Sequence, residues 1–144
     1  MLLSFRYENG NGFLTDVDGK DTVRIKNSLS GNAQNFSPTE LLVLSIGSCT
    51  SDDVLSILQK MKQPYKSYRC ILEAEREEQI PKTLKKVNIT YDLSGEIDPE
   101  QVRKAVILSL SKYCSVSILI KRGGTEVTHS IIINGKTIED RKSL

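Results

Sequence analysis

Residues 37–49 read SPTELLVLSIGSC and combine the signals of a helix start with an apolar run that needs burial. Ser37 is a favourable N-cap, Pro38 suits the first helical position, and Glu40 completes a capping box. The residues that follow are apolar almost all the way round, which predicts a helix buried on most sides. Small residues near its middle would let another backbone approach closely, and Pro64 predicts its end.

Strands are predicted on both sides of this helix. Before it, residues 3–8, 13–17 and 22–27 form short strands separated by turn signals rich in Asn, Asp and Gly. After it, residues 68–75 and 85–93 largely alternate apolar and polar side chains, which predicts an antiparallel hairpin of two long strands. The first two thirds of the chain therefore follow the order βββ-α-ββ.

The last third adds helices and a final strand. Asp98 and Pro99 open a second capping box, which predicts the start of a second helix. A short further helix is predicted across residues 116–120. A strand is predicted across residues 126–133, followed by a turn and a short tail. The whole order, βββ-α-ββ-α-(α)-β, indicates an α+β fold. No segment resembles a linker, so residues 1–144 are predicted to form a single domain.

Charge and hydropathy argue against several classes of protein. The chain has 144 residues, with 20 Lys and Arg against 18 Asp and Glu, which leaves a net charge of +2. This charge is too small to predict a nucleic-acid or anionic membrane partner. The N-terminal residues lack the apolar run of a secretory signal, and no stretch is predicted to reach the length of a membrane span. A cytoplasmic location is expected, in which cysteines stay mostly reduced.

Two of the three cysteines are the candidate reactive residues. Cys49 lies in the small-residue part of the first helix, and Cys114 follows the second helix within KYCSVS, residues 112–117. Two thiols brought together from distant parts of a small intracellular chain favour redox chemistry over a structural disulfide. Buried packing is the alternative for each, because free cysteine is among the most buried residue types. Cys70, in the middle of a strand, is interpreted as a core residue.

These motifs resemble those of the OsmC/Ohr family, the osmotically induced and organic-hydroperoxide-resistance proteins, in its OsmC-like branch. The resemblance rests on PTELL at residues 38–42 with the small-residue run to Cys49, and on KYCSV at residues 112–116. It implies a two-layer α+β fold with a long buried central helix, in an intertwined homodimer. It also implies a cofactor-free, thiol-dependent peroxidase with a hydroperoxide substrate and an external dithiol reductant. Cys49 would be the peroxidatic thiol, and Cys114 would resolve its sulfenic acid to a disulfide.

Glu40 is a third candidate site residue with two interpretations. In the hydroperoxide-resistance branch a Glu directly follows the Pro and holds an Arg beside the reactive thiol, whereas here Thr39 follows Pro38. Nine residues separate Glu40 from Cys49, about half a revolution, so the two side chains project from opposite sides of one helix. Glu40 is therefore either a helix cap or part of a site formed with another segment or subunit.

The cation that the resemblance places beside the thiol would come from the N-terminal strands. Arg6 and Arg24 are the candidates there, and a fixed guanidinium would stabilise both the thiolate and the departing alkoxide. Asp52 and Asp53 lie one helical turn after Cys49, and their negative charge would disfavour its thiolate unless the carboxylates are paired.

Two functions stay open from the residues and the resemblance together. One is two-cysteine peroxide reduction. The other is a non-catalytic binding protein or slow redox sensor, with an apolar ligand cleft at the dimer interface. No metal site is predicted, because the cysteines and His129 lack CxxC or HxxxH spacing. His129 alternates with apolar residues of the last strand and is interpreted as a core or edge histidine.

Overall fold

The structure, a computed structural model, describes residues 1–29 and 34–144. The chain divides into two compact units, residues 1–42 and residues 43–144. The described residues contain three α-helices and two sheets, which confirms the predicted α+β class. The single domain expected for the whole chain stays a prediction.

The first unit holds a small antiparallel sheet. Its strands are β1 (Phe5–Glu8), β2 (Gly12–Thr15) and β3 (Arg24–Ile25), in the order β1-β2-β3. All three strands are predicted at the right places but are shorter than expected. The two-residue β3 pairs with Phe13 and Leu14 of β2, and its Ile25 also forms an isolated bridge with Phe36.

The long helix α1 runs from Pro38 to Lys60. Its predicted capping box is present: the Glu40 amide donates to Ser37 Oγ over 3.1 Å, and the Ser37 amide donates to Glu40 Oε1 over 3.3 Å. These bonds satisfy two of the amides that a helix start leaves unpaired. The helix ends just before Lys62, which has a positive φ of 57°.

By length and composition alone, α1 could cross a membrane. The expectation that no stretch reaches the length of a membrane span is therefore wrong. The serine, glycine and threonine residues within it lower its hydropathy only slightly, so the apolar run continues through them. Ile46, Val54 and Leu58 are nevertheless completely buried in the core of the second unit. A core helix of a folded domain meets the same length and composition criteria.

The second unit is built on a four-stranded sheet in the order β4-β5-β6-β7. Its strands are β4 (Tyr65–Arg76), β5 (Leu84–Gly95), β6 (Glu126–Ile133) and β7 (Lys136–Lys142). β5 and β6 are parallel, and the other neighbours are antiparallel. The hairpin of β4 and β5 is confirmed.

β7 corrects the prediction that the chain closes with a short tail. The turn at Asn134 and Gly135 was predicted, and both residues have the positive φ that a tight hairpin needs. The chain therefore reverses and pairs with β6. The charged residues 136–142 show little apolar alternation, so their strand forms because β6 offers an unpaired edge.

The connection from β5 to β6 is helical. It contains α2 (Pro99–Leu108), a π-helical turn (Ser109–Tyr113) and α3 (Ser115–Arg122). As predicted, Asp98 caps α2, its Oδ1 accepting from the Glu100 amide over 2.9 Å. One core joins the sheet to the helices, and its fully buried members include the following: Ile46, Val54, Leu58, Val87, Ile89, Tyr91, Val102, Ala105, Val106, Leu110 and Ile131. Sheet and helices thus form two layers within this unit.

Candidate functional site

The structure brings Cys49 and Cys114 together within the second unit. Cys49 lies in the middle of α1 and is half-buried, whereas Cys114 follows the π-helical turn and is completely buried. The two side chains are neighbours, because the proximity of Cys49 contributes to the raised pKa of the Cys114 thiol. All three cysteines of the chain are free thiols. The contact of α1 with the π-helical turn therefore brings two free thiols near each other.

The Cys114 thiol lies at the start of α3, where it acts as the N-cap. Its Sγ accepts from the Ser117 amide over 3.4 Å, and Ser117 Oγ donates to the Cys114 carbonyl over 3.1 Å. Burial raises the pKa of the Cys114 thiol, the hydrogen bonds from Ser117 oppose that rise, and Cys49 adds to it. The net effect is a raised pKa. A reaction that needs the Cys114 thiolate therefore needs a base to take its proton.

The π-helical turn sets the position of Cys114. The Cys114 amide ends this turn by donating a hydrogen bond to the carbonyl of Ser109, five residues earlier, over 2.8 Å. Sequence periodicity predicts only a helix end here, because the signal for a single π turn is too weak to separate from an ordinary helix. Such turns occur frequently at functional sites.

A chain of buried hydroxyl groups lies beside the two cysteines. Thr50 Oγ1 is 2.7 Å from Tyr91 Oη and 2.8 Å from Ser109 Oγ. Ser109 Oγ in turn donates to Asp53 Oδ2 over 2.8 Å. Tyr91, Thr50 and Ser109 are all completely buried. The carboxylate of Asp53 is thus paired, unlike the exposed Asp52, so the two aspartates after Cys49 differ in their surroundings.

Sequence reasoning missed this chain of hydroxyls. Thr50 is one of the small residues in the middle of the first helix, Ser109 follows the second helix, and neither was predicted to belong to a site. The available signal was a pair of hydroxyl residues at positions that must be buried, because buried hydroxyls need hydrogen-bond partners. Finding those partners required the relative placement of α1, β5 and the π-helical turn.

Cys70 packs against the core as predicted, but it also has polar neighbours. It lies opposite Tyr91 across the β4–β5 pairing and is half-buried. Burial raises the pKa of Cys70, while hydrogen bonds with Ser51 and Tyr68 lower it, and the net shift is upward. Ser51 Oγ and Tyr68 Oη are 2.5 Å apart. A second hydroxyl pair therefore covers this thiol.

A lysine supplies positive charge near Cys114. Lys121 on α3 donates from Nζ to the Leu110 carbonyl. Burial lowers the pKa of Lys121, and negative charge on Cys114 opposes that change. The resemblance places the cation for the other thiol, Cys49, on the N-terminal strands, and that expectation stays a prediction. There Arg6 forms an ion pair with Glu8 at 3.6 Å, and Arg24 is exposed on β3.

Glu40 makes the two hydrogen bonds of the capping box, as one of its two interpretations predicts. Its carboxylate lies in the first turn of α1, where negative charge also suits the helix dipole. The other interpretation, a residue of a site shared with a second subunit, stays a prediction.

His129 is buried within β6, as predicted for a core histidine. Its Nε2 is 2.7 Å from Glu139 Oε2, and Arg103 Nε donates to Glu139 Oε1 over 2.7 Å. Burial alone would raise the pKa of Glu139, but hydrogen bonds from His129, Arg103 and Lys142 together hold it below its usual range. Among residues 1–29 and 34–144, no group of three His, Cys, Asp or Glu side chains is arranged to hold a metal ion.

Residues 31–130, which include both cysteine motifs, match the family model described as OsmC-like protein. The chain belongs to the OsmC-like family. Over 95 residues it is 35% identical to protein YhfA of Escherichia coli K12, a match that covers 65% of this chain and 70% of YhfA. The family resemblance of the sequence is therefore confirmed.

Solved structures show the same fold. A crystal structure of a hypothetical protein from Aquifex aeolicus VF5 aligns with a TM-score of 0.78 at 27% identity, covering 92% of this OsmC-like chain and 96% of that one. An organic hydroperoxide resistance protein OsmC from Legionella pneumophila aligns with a TM-score of 0.67 at 16% identity, covering 92% and 97%. At that identity the second likeness concerns the fold alone.

Proposed function

We propose that this OsmC-like protein reduces organic hydroperoxides or H2O2 with two cysteines, Cys49 and Cys114. The observation that carries the proposal is the neighbouring pair of reduced thiols, one half-exposed and one buried, on the two motifs of the family. A structure with the same fold is named an organic hydroperoxide resistance protein, which supports hydroperoxides as the substrate class.

The proposed reaction has three steps. The Cys49 thiolate attacks one peroxide oxygen, the O–O bond breaks, and the departing alkoxide takes up a proton to leave as an alcohol. The Cys114 sulfur then attacks the Cys49 sulfenic acid, the S–O bond breaks, and water leaves as the disulfide forms. An external dithiol reduces that disulfide by thiol–disulfide exchange and is itself oxidised.

Charged groups have separate parts in this proposal. Lys121 stabilises negative charge that develops at Cys114, because its ammonium interacts with that sulfur. Arg6 and Arg24 stay the candidates for the activating cation, and Glu40 serves a site completed by another segment or subunit, in addition to its capping role. No cofactor or metal takes part in these steps.

The proposed assembly is an intertwined homodimer in the cytoplasm. Large apolar side chains are exposed on the helices: Leu44 is 42% exposed, Ile107 45%, Tyr113 52% and Leu119 68%. A second copy that covers them would remove this apolar surface from water. Sedimentation or light scattering of the purified protein measures the assembly directly.

The test is peroxide consumption with dithiothreitol or dihydrolipoamide as the reductant. Wild type should turn over cumene hydroperoxide or H2O2, whereas Cys49→Ser should lose activity entirely. Cys70→Ser is the matched control, because Cys70 is a half-buried thiol outside the pair, and it should stay active. Peptide mapping after one equivalent of peroxide should find a Cys49–Cys114 disulfide. A wild type no faster than Cys49→Ser would rule out the peroxidase.

A slow redox sensor is the second candidate, and the buried state of Cys114 favours it. Because burial raises the pKa of Cys114, little of its thiolate is present at neutral pH and disulfide closure is slow. A sensor would react with one peroxide molecule and then stay oxidised, so its disulfide would accumulate even with excess dithiol present. A peroxidase would keep turning over under those conditions.

A further inference from the structure

Ser109 is the residue at which α1, α2 and the π-helical turn meet. Its amide donates to the Ala105 and Val106 carbonyls at the end of α2. Its carbonyl accepts the amide proton of Cys114 over 2.8 Å. Its hydroxyl leaves the turn and reaches two side chains of α1. Ser109 is completely buried, so each of these polar groups needs the partner that it has.

The hydroxyl chain fixes the direction of the bonds to α1. The Ser109 hydroxyl donates to Asp53 Oδ2 over 2.8 Å, which uses its single proton. Ser109 Oγ therefore accepts from Thr50 over 2.8 Å, and Thr50 Oγ1 accepts from Tyr91 over 2.7 Å. Ser109 is thus bound to α1 by two hydrogen bonds, one that it donates and one that it accepts.

These bonds connect the surroundings of the two cysteines through one residue. Thr50 directly follows Cys49 in α1 and bonds the hydroxyl of Ser109. The carbonyl of Ser109 bonds the backbone of Cys114, five residues further along the chain. Two hydrogen bonds of 2.8 Å, one to the side chain of Ser109 and one to its carbonyl, therefore join α1 beside Cys49 to Cys114.

The other side of Cys114 is held within α3. Its carbonyl accepts from the Ile118 amide over 3.1 Å and from Ser117 Oγ over 3.1 Å. The backbone of Cys114 is thus fixed to the turn by its amide and to α3 by its carbonyl. These bonds do not set how the turn and α3 lie against α1. The hydroxyl bonds of Ser109 bear on that placement, because both of its side-chain partners lie on α1.

We infer that Ser109 is a positioning residue that holds Cys114 beside Cys49 for disulfide closure, through its hydroxyl on α1 and its carbonyl on Cys114. This inference rests on the proposed function and deepens it, since it concerns the resolving step of that reaction. Ser109 acts on the reacting sulfur through the backbone of Cys114 and the placement of the turn.

The physical reason is the close approach that a disulfide demands. A disulfide restricts its two cysteines to a narrow range of separations. Two thiols held close and aligned react as if at a high effective concentration. Without the Ser109 hydroxyl, the turn gains conformational freedom in the reduced protein, and the disulfide has to remove that freedom. Closure then becomes slower, and the disulfide becomes easier to reduce.

The closure step balances in atoms and electrons. The Cys114 sulfur forms a bond to the Cys49 sulfur, and the S–O bond of the sulfenic acid breaks with its electron pair on the departing oxygen. That oxygen takes up a proton and leaves as water, which balances the proton lost from the Cys114 thiol. The Cys114 sulfur is oxidised and the Cys49 sulfur is reduced. The hydroperoxide consumed in the preceding step is the oxidant.

The first experiment follows closure in a single turnover. Reduced protein is mixed with one equivalent of cumene hydroperoxide, quenched at intervals with a thiol-alkylating reagent, and mapped for the free Cys49 thiol and the Cys49–Cys114 disulfide. Ser109→Ala should lose the Cys49 thiol at the wild-type rate but close about 10- to 100-fold more slowly, as misplaced reacting groups do. Ser111→Ala is the matched control, because the Ser111 hydroxyl lies in the same turn and donates to the Ile107 carbonyl. It should close at the wild-type rate.

The reduction potential separates positioning from a loss of stability. Equilibration with mixtures of reduced and oxidised glutathione gives the potential of the Cys49–Cys114 disulfide without any peroxide. A loss of stability that is equal in the oxidised and reduced proteins leaves this potential unchanged. Ser109→Ala should make the disulfide about tenfold easier to reduce, a shift of about 30 mV toward less negative potential. Ser111→Ala should keep the wild-type potential.

Thr50 tests the same contact from α1. Thr50→Val keeps the side-chain shape and removes the hydroxyl, whereas Thr50→Ser keeps the hydroxyl and loses only a methyl group. Closure should be slow in Thr50→Val and near the wild-type rate in Thr50→Ser. Equal slowing in both variants counts against the positioning role, because the hydroxyl then makes no difference.

The outcomes separate the two proposals. A wild type that closes after peroxide, with Ser109→Ala as fast and at the same potential, overturns the positioning role and leaves the peroxidase standing. A wild type that glutathione oxidises and peroxide does not overturns the peroxidase, and a shifted potential in Ser109→Ala then supports the positioning role for the thiol pair alone. A wild type that forms no Cys49–Cys114 disulfide by either route overturns both.

Discussion

Gly47 lies in the buried middle of α1, where a larger side chain would meet β4. A Cβ placed on Gly47 would lie 2.6 Å from Leu72 Cδ1, 3.0 Å from its Cδ2 and 3.1 Å from its Cγ. The whole end of the leucine side chain would have to move. The close neighbour of this small residue is thus a side chain, not the backbone that the sequence predicts.

The magnitude follows from two opposing effects. Gly47→Ala favours the helix by about 1 kcal/mol, since glycine is a poor helix former. Overpacking against Leu72 costs about 1–3 kcal/mol, and the half-buried leucine can relax only in part. The free energy of unfolding should therefore fall by about 1 kcal/mol.

A double-mutant cycle tests this reasoning, with urea unfolding as the assay. In a Leu72→Ala background the obstacle is gone, so Gly47→Ala should raise the free energy of unfolding by about 1 kcal/mol. The sign of the Gly47→Ala effect thus reverses between the two backgrounds, with a coupling energy within the range seen for residues in contact. An equal effect in both backgrounds would refute the packing argument.

Three further predictions concern charges and caps. Glu139→Gln should lower the free energy of unfolding by about 2 kcal/mol at neutral pH, because its charged hydrogen bonds are lost. The lowered pKa of Glu139 means that its ionised form contributes this stability fully above the unfolded pKa of about 4.3 and loses it as the pH falls through the folded pKa. Urea unfolding at a series of pH values should therefore show the difference between the two proteins vanish in acid. Asp98→Ala should lower the free energy of unfolding, measured by heat or urea, by about 1 kcal/mol. Asp98→Asn should lower it much less, since both Asp and Asn can accept the hydrogen bond from the Glu100 amide. Equal losses in the two variants would exclude the capping role. Lys121→Gln should raise the pKa of Cys114 further, because it removes a positive charge near that sulfur. The pKa is measured from the ultraviolet absorbance of the thiolate in a Cys49→Ser, Cys70→Ser background. An unchanged titration would show that the ammonium does not act on this sulfur.

Much of the fold could be predicted because its signals are local. The bounds of β6 were predicted as residues 126–133, and the start of α1 follows from a capping box of four consecutive residues. β7 could not be predicted in the same way, because five of the seven residues 136–142 are charged and the segment pairs with the open edge of β6. The first three strands were predicted too long for a related reason, since their ends depend on partners.

The candidate site likewise has residues that the sequence predicts and residues that it does not. Cys49 and Cys114 could be selected from the sequence because each lies in a recognisable motif. Lys121 and the hydroxyl chain could not, since a lysine near a helix end and two small hydroxyl residues are common features of any sequence. Their roles depend on which groups they meet across the core.

The sequence by itself determined most of the helices and strands, the family and the two candidate cysteines, because capping bonds, apolar periodicity and short motifs involve residues near one another in the chain. Only the tertiary structure decided the chemical state around those cysteines. Burial raises the pKa of Cys114, and the packing of α1 against β5 and the π-helical turn aligns three hydroxyls toward Asp53. Both effects depend on desolvation and on distances of about 3 Å between distant residues, which no local pattern encodes.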